Sequence, residues 1–197
     1  WKSQRNSLAK SRQIVALSVL LTAFIFSAAV FAFPKKAQDF TLLSPEGRLS
    51  LSQLKGQVVL IFFGFTACPD VCPISLYTIS NVFHHLKAEE LEKSKALFIT
   101  LDPERDKVEM MHEYTGFFHP NIIGLTDEPR NISEVARLYG VKYQKKELER
   151  SALGYVINHT ADIYLVDTVG MLIQRYPHDV DPEVLIRKIR SLFQDQG

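Results

Sequence analysis

The sequence predicts an α/β fold, a mixed central sheet flanked by helices, behind one apolar N-terminal segment. Three observations carry that expectation. "QVVLIFFGF" (Gln57–Phe65) and "ALFITLD" (Ala96–Asp102) are short, continuous apolar runs rich in β-branched and aromatic residues, the composition of strands covered on both faces. Each leads into a segment with the signals of a helix. Ahead of both, Ile14 to Phe33 passes twenty residues without a charge.

That first run predicts a transmembrane anchor over residues 14–33. At about 1.5 Å per residue such a helix spans roughly 30 Å, the thickness of a bilayer's hydrocarbon core. Lys2, Arg5, Lys10 and Arg12 precede it with no acid among them. The positive-inside rule then puts residues 1–13 in the cytoplasm and delivers residues 34–197 across the membrane as one domain. A cleaved signal peptide is the rival, with small residues at Ser27-Ala28-Ala29 and Val30-Phe31-Ala32.

Along the exported part, Asp39–Leu43 reads as a short strand and "SPEG" (44–47) as a turn. "RLSLSQLKG" is expected to begin a short helix that Gly56 stops. After the Gln57–Phe65 strand, Pro73 suits a first helical turn, and Leu76, Ile79, Phe83 and Leu86 recur at steps of three and four. The strand ending at Asp102 is followed by a helix through "KVEMMHEY", expected to be capped by Asp106. Ile122–Leu125 is a third short strand, and "RNISEVARLYG" a helix ended by Gly140. "ADIYLVDTVGMLIQRY" reads as a hairpin about Asp167–Gly170, and Pro182–Phe193 as a closing helix with Val184, Leu185, Ile189 and Leu192 on one side. Strand, helix, strand, then hairpin and helix, is the order of a thioredoxin-like fold.

With 23 basic against 22 acidic side chains, the net charge of +1 gives no electrostatic footprint for nucleic acid. Chemistry concentrates in "GFTACPDVCP" (Gly64–Pro73), which holds both cysteines of the chain. Cys68 and Cys72 stand where a buried strand hands over to a helix. There the free N–H groups and the dipole favour thiolate over thiol. A structural disulfide four residues wide would stabilise by only about 2 kcal/mol, against about 4.7 for a hundred-residue loop. Thiol–disulfide exchange usually places its cysteines one residue closer, and Asp70 between them is expected to oppose thiolate formation. Two thiolates suit a soft metal such as Cu(I), and an added imidazole also tolerates Cu(II). Structural zinc would want four ligands, and no further cysteine exists.

A metal therefore calls for a histidine, and there are six. His84 and His85 lie well along the helix after the cysteines, His112 in mid-helix, and His178 in a polar loop; all read as surface or satisfied positions. His119, before Pro120, has no obvious partner. His159 stands directly before a predicted strand, where a lone histidine is more often an ordinary loop residue than a ligand.

The cysteine segment, with "LDPERD" (Leu101–Asp106), "HPNIIGLT" (His119–Thr126), "VARLYGVKY" (Val135–Tyr143) and "NHTADIYLVDTVG" (Asn158–Gly170), resembles the Sco/SenC family of membrane-anchored copper chaperones, named for assembly of cytochrome c oxidase. The likeness runs from about Gln38 to Phe193. By position it implies that Cys68 and Cys72 are thiolate ligands of copper, Cu(I) or Cu(II), and that His159 adds an imidazole from a mobile loop. It implies delivery to the oxidase subunit carrying the CuA centre, with other periplasmic copper carriers or thioredoxin-like proteins as further partners. Asp70, Asp102 and Asp106 match motif positions and are assigned no metal role; capping accounts for Asp102 and Asp106, with support of the ligands from behind as the alternative. Asp127 departs from the pattern, where a small residue is expected. The rival functions are a membrane-tethered thiol–disulfide oxidoreductase, with Cys68 and Cys72 as its redox pair, and a copper or redox sensor. The short basic N-terminus favours a bacterial inner membrane with the domain in the periplasm; the alternative is the mitochondrial inner membrane, facing the intermembrane space.

Overall fold

The computed structural model of the protein describes residues 35–148 and 153–194. The expected anchor at 14–33 lies outside them. Among the described residues no helix is long and apolar enough to cross a membrane.

The centre is the strand β4 (Val58–Gly64), all seven of whose residues are buried. Short edge and hairpin strands precede it: β1 (Lys35–Lys36), β2 (Thr41–Ser44) and β3 (Gly47–Ser50). β5 (Ser94–Thr100) lies parallel to β4 in unbroken register, Val58 opposite Ser94 through Gly64 opposite Thr100. β6 (Ile122–Leu125) continues the parallel set beyond β5. On its other side β4 pairs antiparallel with β9 (Ile163–Val166). β10 (Met171–Tyr176) then pairs β9, and β1 closes that edge. The sheet order β1-β10-β9-β4-β5-β6, with helices after β4, β5, β6 and β10, is a mixed, thioredoxin-like arrangement, as the order of elements predicts.

The first helix, α1 (Val71–His85), begins two residues before Pro73, which sits in its first turn where the missing N–H does no harm. Its buried face includes Cys72, Leu76, Ile79, Val82 and Phe83. Four helices follow: α2 (Ala88–Glu92), α3 (Val108–Gly116), α4 (Pro129–Leu138) and α5 (Pro182–Gln194). In α5 the core contacts are Leu185, Ile186 and Ile189, whereas Val184 is exposed; the apolar stripe is rotated from the expected one. The uneven alternation in the last strand has a cause, a bulge between Leu172 and Gln174.

Two differences from expectation matter. Gly47–Ser50 is not the start of a helix but β3, which pairs β2 about a turn where Gly47 holds φ +111°. Only Leu51–Leu54 forms a single 3₁₀ turn. Antiparallel pairing with β2 overrides the local helix preference of Arg48 and Leu49, and Leu42 is completely buried. The second difference is an unforeseen two-stranded ribbon, β7 (Tyr143–Glu147) with β8 (Tyr155–His159), separate from the main sheet. Every residue of β7 is exposed, so no apolar alternation announces it.

Asp127, the departure from the family pattern, is nearly buried and used. Its carboxylate accepts from Arg48, from the Glu128 N–H and from Asn131 at the start of α4.

α3 lies against β6 at close range. A Cβ on Gly124 would come within 2.8 Å of both the Cβ and the carbonyl oxygen of Met111. Backbone cannot yield there as a flexible side chain would. Gly124→Ala is expected to lose about 1–3 kcal/mol of stability, read as a lower urea midpoint at unchanged slope. An unchanged midpoint would show that α3 is free to shift.

Candidate metal centre

β4 ends at Gly64, and the chain turns through Phe65, Thr66 and Ala67 to Cys68, whose N–H bonds back to the Phe65 carbonyl at 3.2 Å. Helix α1 then brings Cys72 under the sheet end. Cys72 is wholly buried, Cys68 is half-exposed, and no disulfide joins them. The third residue arrives from far along the chain. His159 closes β8, paired opposite Tyr143, and is thus the end of a strand where a loop was expected. Its Nε2 lies 3.6 Å from Cys72 Sγ. The two sulfurs and an imidazole nitrogen all lie within 4.8 Å of one another. Among the described residues this is the one convergent cluster of three or more His, Cys, Asp or Glu.

The imidazole is oriented. His159 Nδ1 lies 2.9 Å from the Thr160 carbonyl, which can only accept. Nδ1 therefore carries the proton, and the Nε2 lone pair faces the sulfurs. Phe62 and Phe65 pack edge-on against the ring, at 6.4 and 6.0 Å between centroids.

Space for the cluster comes from Gly64. A Cβ there would stand 2.7 Å from Cys72 Sγ and 2.8 Å from Phe98 Cε2. A lone glycine inside so bulky a strand marks a close approach, and this signal was present in the sequence.

Asp106 is no helix cap. The residue before α3 is Lys107, and the Asp106 carboxylate is fully buried. It accepts from the Thr66 N–H (3.0 Å), the Thr66 hydroxyl (2.5 Å) and the Thr100 hydroxyl (2.6 Å). The Thr100 oxygen accepts in turn from the Asp102 N–H. Asp106 thus staples the cysteine loop to the end of β5. Burial pushes its carboxyl above the usual range, against the pull of the two threonines. Asp102 is likewise no cap: it accepts from Arg105 and from the Tyr155 hydroxyl.

The two thiols are unequal. A hydrogen bond from Cys72 is the chief influence holding Cys68 down, to about 4, against its partial burial; the Asp70 and Cys72 N–H groups add to it. Asp70 therefore acts here through its backbone N–H, which favours the thiolate it was expected to oppose. Cys72 is pushed far up, first by its bond to Cys68, then by burial and the neighbouring charge. In the reduced pair one proton remains, on Cys72.

The other histidines stand apart from this cluster. His84 and His85 bond to carbonyls of their own helix, at Ser80 and Asn81. His119 is buried against Phe83 and His84, with Nδ1 accepting from the Asn121 N–H, the partner its sequence context did not reveal. His112 is exposed, and His178 half-buried.

A thioredoxin-like sheet presenting two cysteines and an oriented imidazole at one point defines a cysteine–histidine protein of that fold. The chain belongs to the SCO1/SenC family, whose model matches residues 32–194. It is 37% identical over 157 residues to the mitochondrial "Protein SCO1 homolog 1" of Arabidopsis thaliana, covering 77% of this chain and 46% of that protein. Among solved structures it is similar to the apo Sco1 protein of Thermus thermophilus, with TM-score 0.73, 36% identity, and 81% and 92% of the two chains covered. It is also similar to ScoI of Bradyrhizobium japonicum with copper bound, with TM-score 0.72, 35% identity, and 80% and 99% covered. The chain spans about half the length of mitochondrial relatives it matches, 46% of the Arabidopsis protein and 58% of the Bos taurus SCO2 homolog.

Two outcomes are expected. Gly64→Ala forces Cys72 or Phe98 aside, lowering stability by about 1–3 kcal/mol in urea unfolding of reduced protein; a neutral effect would mean that the pocket has slack. In reduced, metal-free protein at about pH 6, iodoacetamide modifies Cys68 at close to its plateau rate and leaves Cys72 unmodified. Peptide mass spectrometry reads the ratio, and preferential labelling of Cys72 would reverse the assignment.

Proposed function

We propose that this protein binds copper through Cys68 Sγ, Cys72 Sγ and His159 Nε2 and hands it to the CuA-bearing subunit of cytochrome c oxidase. The observation that carries this is the convergence of three soft or borderline ligands from remote parts of the chain. It is supported by the copper-bound structure of the Bradyrhizobium relative and by the family's association with oxidase assembly.

Capture follows from the unequal thiols. Cys68 meets the metal as a thiolate, Cys72 releases its proton on binding, and His159 offers a lone pair already aimed inward. Three protein ligands leave the ion open to a fourth, so an acceptor's sulfur or imidazole can enter before any of the three departs. Half-exposed Cys68 is the side from which it enters. Residues 14–33 would hold the domain beside its membrane-bound target, raising effective concentration so that a brief encounter suffices. Residues 1–13 stay on the cytoplasmic side and the domain faces the periplasm, an orientation that reporter fusions at each end would test.

The same asymmetry favours one alternative, a thiol–disulfide reductase. Cys68 thiolate attacks a partner disulfide and expels one partner sulfur as thiolate. Cys72, deprotonated, then attacks Cys68 Sγ and releases the second. The partner gains two electrons, and Cys68–Cys72 becomes a disulfide.

His159 separates the two. His159→Ala is expected to weaken Cu(I) binding by about 10–100-fold, in anaerobic competition with a chromophoric chelator, while disulfide reduction continues. Wild-type affinity in that variant would remove His159 from the ligand set. Oxidase assembly in cells carrying only His159→Ala then decides which chemistry matters: assembly without copper binding would support the reductase.

A further inference from the structure

His159 is governed from the opposite end of its own strand. Side chains alternate along β8, so Tyr155, Ile157 and His159 share one face, with Tyr155 about 13 Å from His159. Ile157, between them, is buried. The ribbon makes no ladder with the main sheet, so side chains must hold it in place.

Tyr155 is the holding point. Its hydroxyl donates to Asp102 Oδ1 at 2.8 Å, and the other oxygen of Asp102 accepts from Arg105 Nε at 2.5 Å. The Arg105 guanidinium also lies over the Tyr155 ring, 3.7 Å from its centroid, and Nη1 donates to the Leu153 carbonyl at 3.1 Å. The Lys145 ammonium lies 3.6 Å from the same ring centroid and pairs with Glu104 at 3.4 Å. The ribbon is thus fastened to the loop Asp102–Asp106.

That loop has a second grip. Asp106, at its far end, holds Thr66, two residues before Cys68. One short stretch of chain therefore holds both ligand-bearing segments, the cysteine loop through Asp106 and the histidine ribbon through Asp102 and Arg105.

We infer that the Asp102–Asp106 loop sets the distance between the imidazole and the two sulfurs, and that Asp102, Arg105 and Tyr155 are positioning residues for copper capture and release. This rests on the copper-binding function proposed above. With the latch closed, His159 is held at the cluster without having to be gathered in. With it open, the ribbon's end is freed, and the imidazole is the first ligand to leave. None of the three positioning residues needs to touch the metal.

The test is a double-mutant cycle on the full chain, reduced and anaerobic, with Cu(I) as probe and a chromophoric chelator as competitor. Tyr155→Phe removes only the hydroxyl and keeps the ring beneath Arg105. It is expected to weaken Cu(I) binding about tenfold and to speed loss of the ion to the chelator. In the His159→Ala background the same substitution should change affinity by less than about twofold, because nothing remains to be positioned. Arg105→Lys should repeat the pattern and guards against a local folding defect in the tyrosine variant. An equal loss in both backgrounds would show an effect through general stability and overturn the latch; so would no loss in the wild-type background. Should His159→Ala itself leave affinity unchanged, it is the ligand assignment that fails, a different result from either of these.

Discussion

The register of β4 against its two neighbours decides where three distant parts of the chain meet. Gly64 stands opposite Thr100, so the ends of β4 and β5 release the cysteine loop and the Asp102–Asp106 loop side by side. On the other flank Phe62 stands opposite Ile163, which brings the residues just before β9, His159 among them, to the same end of the sheet. A slip of one residue in either pairing would exchange the two buried faces of β4, along seven positions against β5 and four against β9. Complete burial of β4 makes that slip costly, and the geometry of the site is inherited from the core.

Within that frame, neighbours only ångströms apart give the two cysteines opposite characters. Cys68 is partly open to solvent and receives hydrogen bonds as a thiolate, whereas Cys72 is enclosed and pressed against Gly64. A single negative charge shared by two sulfurs costs less to bury than two would. The same economy serves metal capture and disulfide exchange alike, which is why the imidazole, and not the thiols, distinguishes the two chemistries.

Legibility followed the source of each signal. β4, β5 and β6 were evident because burial on both faces writes itself as unbroken apolar sequence, and α1 because one buried face writes a helical period. The β3 segment reads as helix in one dimension because its pairing partner, not its own propensity, determines its state. The β7–β8 ribbon leaves no alternation in the sequence, since every residue of β7 is exposed. Asp106 before a helix looks like a cap in one dimension; only the fold brings Thr66 from forty residues away into its carboxylate. Cys68 and Cys72 were legible as a pair, being local. His159 was not, on spacing alone, and only its resemblance to a family motif singled it out.

What the amino-acid sequence determined by itself was therefore local: the covered strands, the helix carrying Cys72, and two thiols at a strand-to-helix junction where thiolate is favoured. These depend on residues within a few positions of one another. The tertiary structure alone decided that His159 meets the sulfurs, that Asp106 and Asp102 grip two different segments, and that Cys72 is the thiol that keeps its proton. Each of these requires contacts between residues tens of positions apart, and such contacts exist only once the sheet has brought its strand ends together.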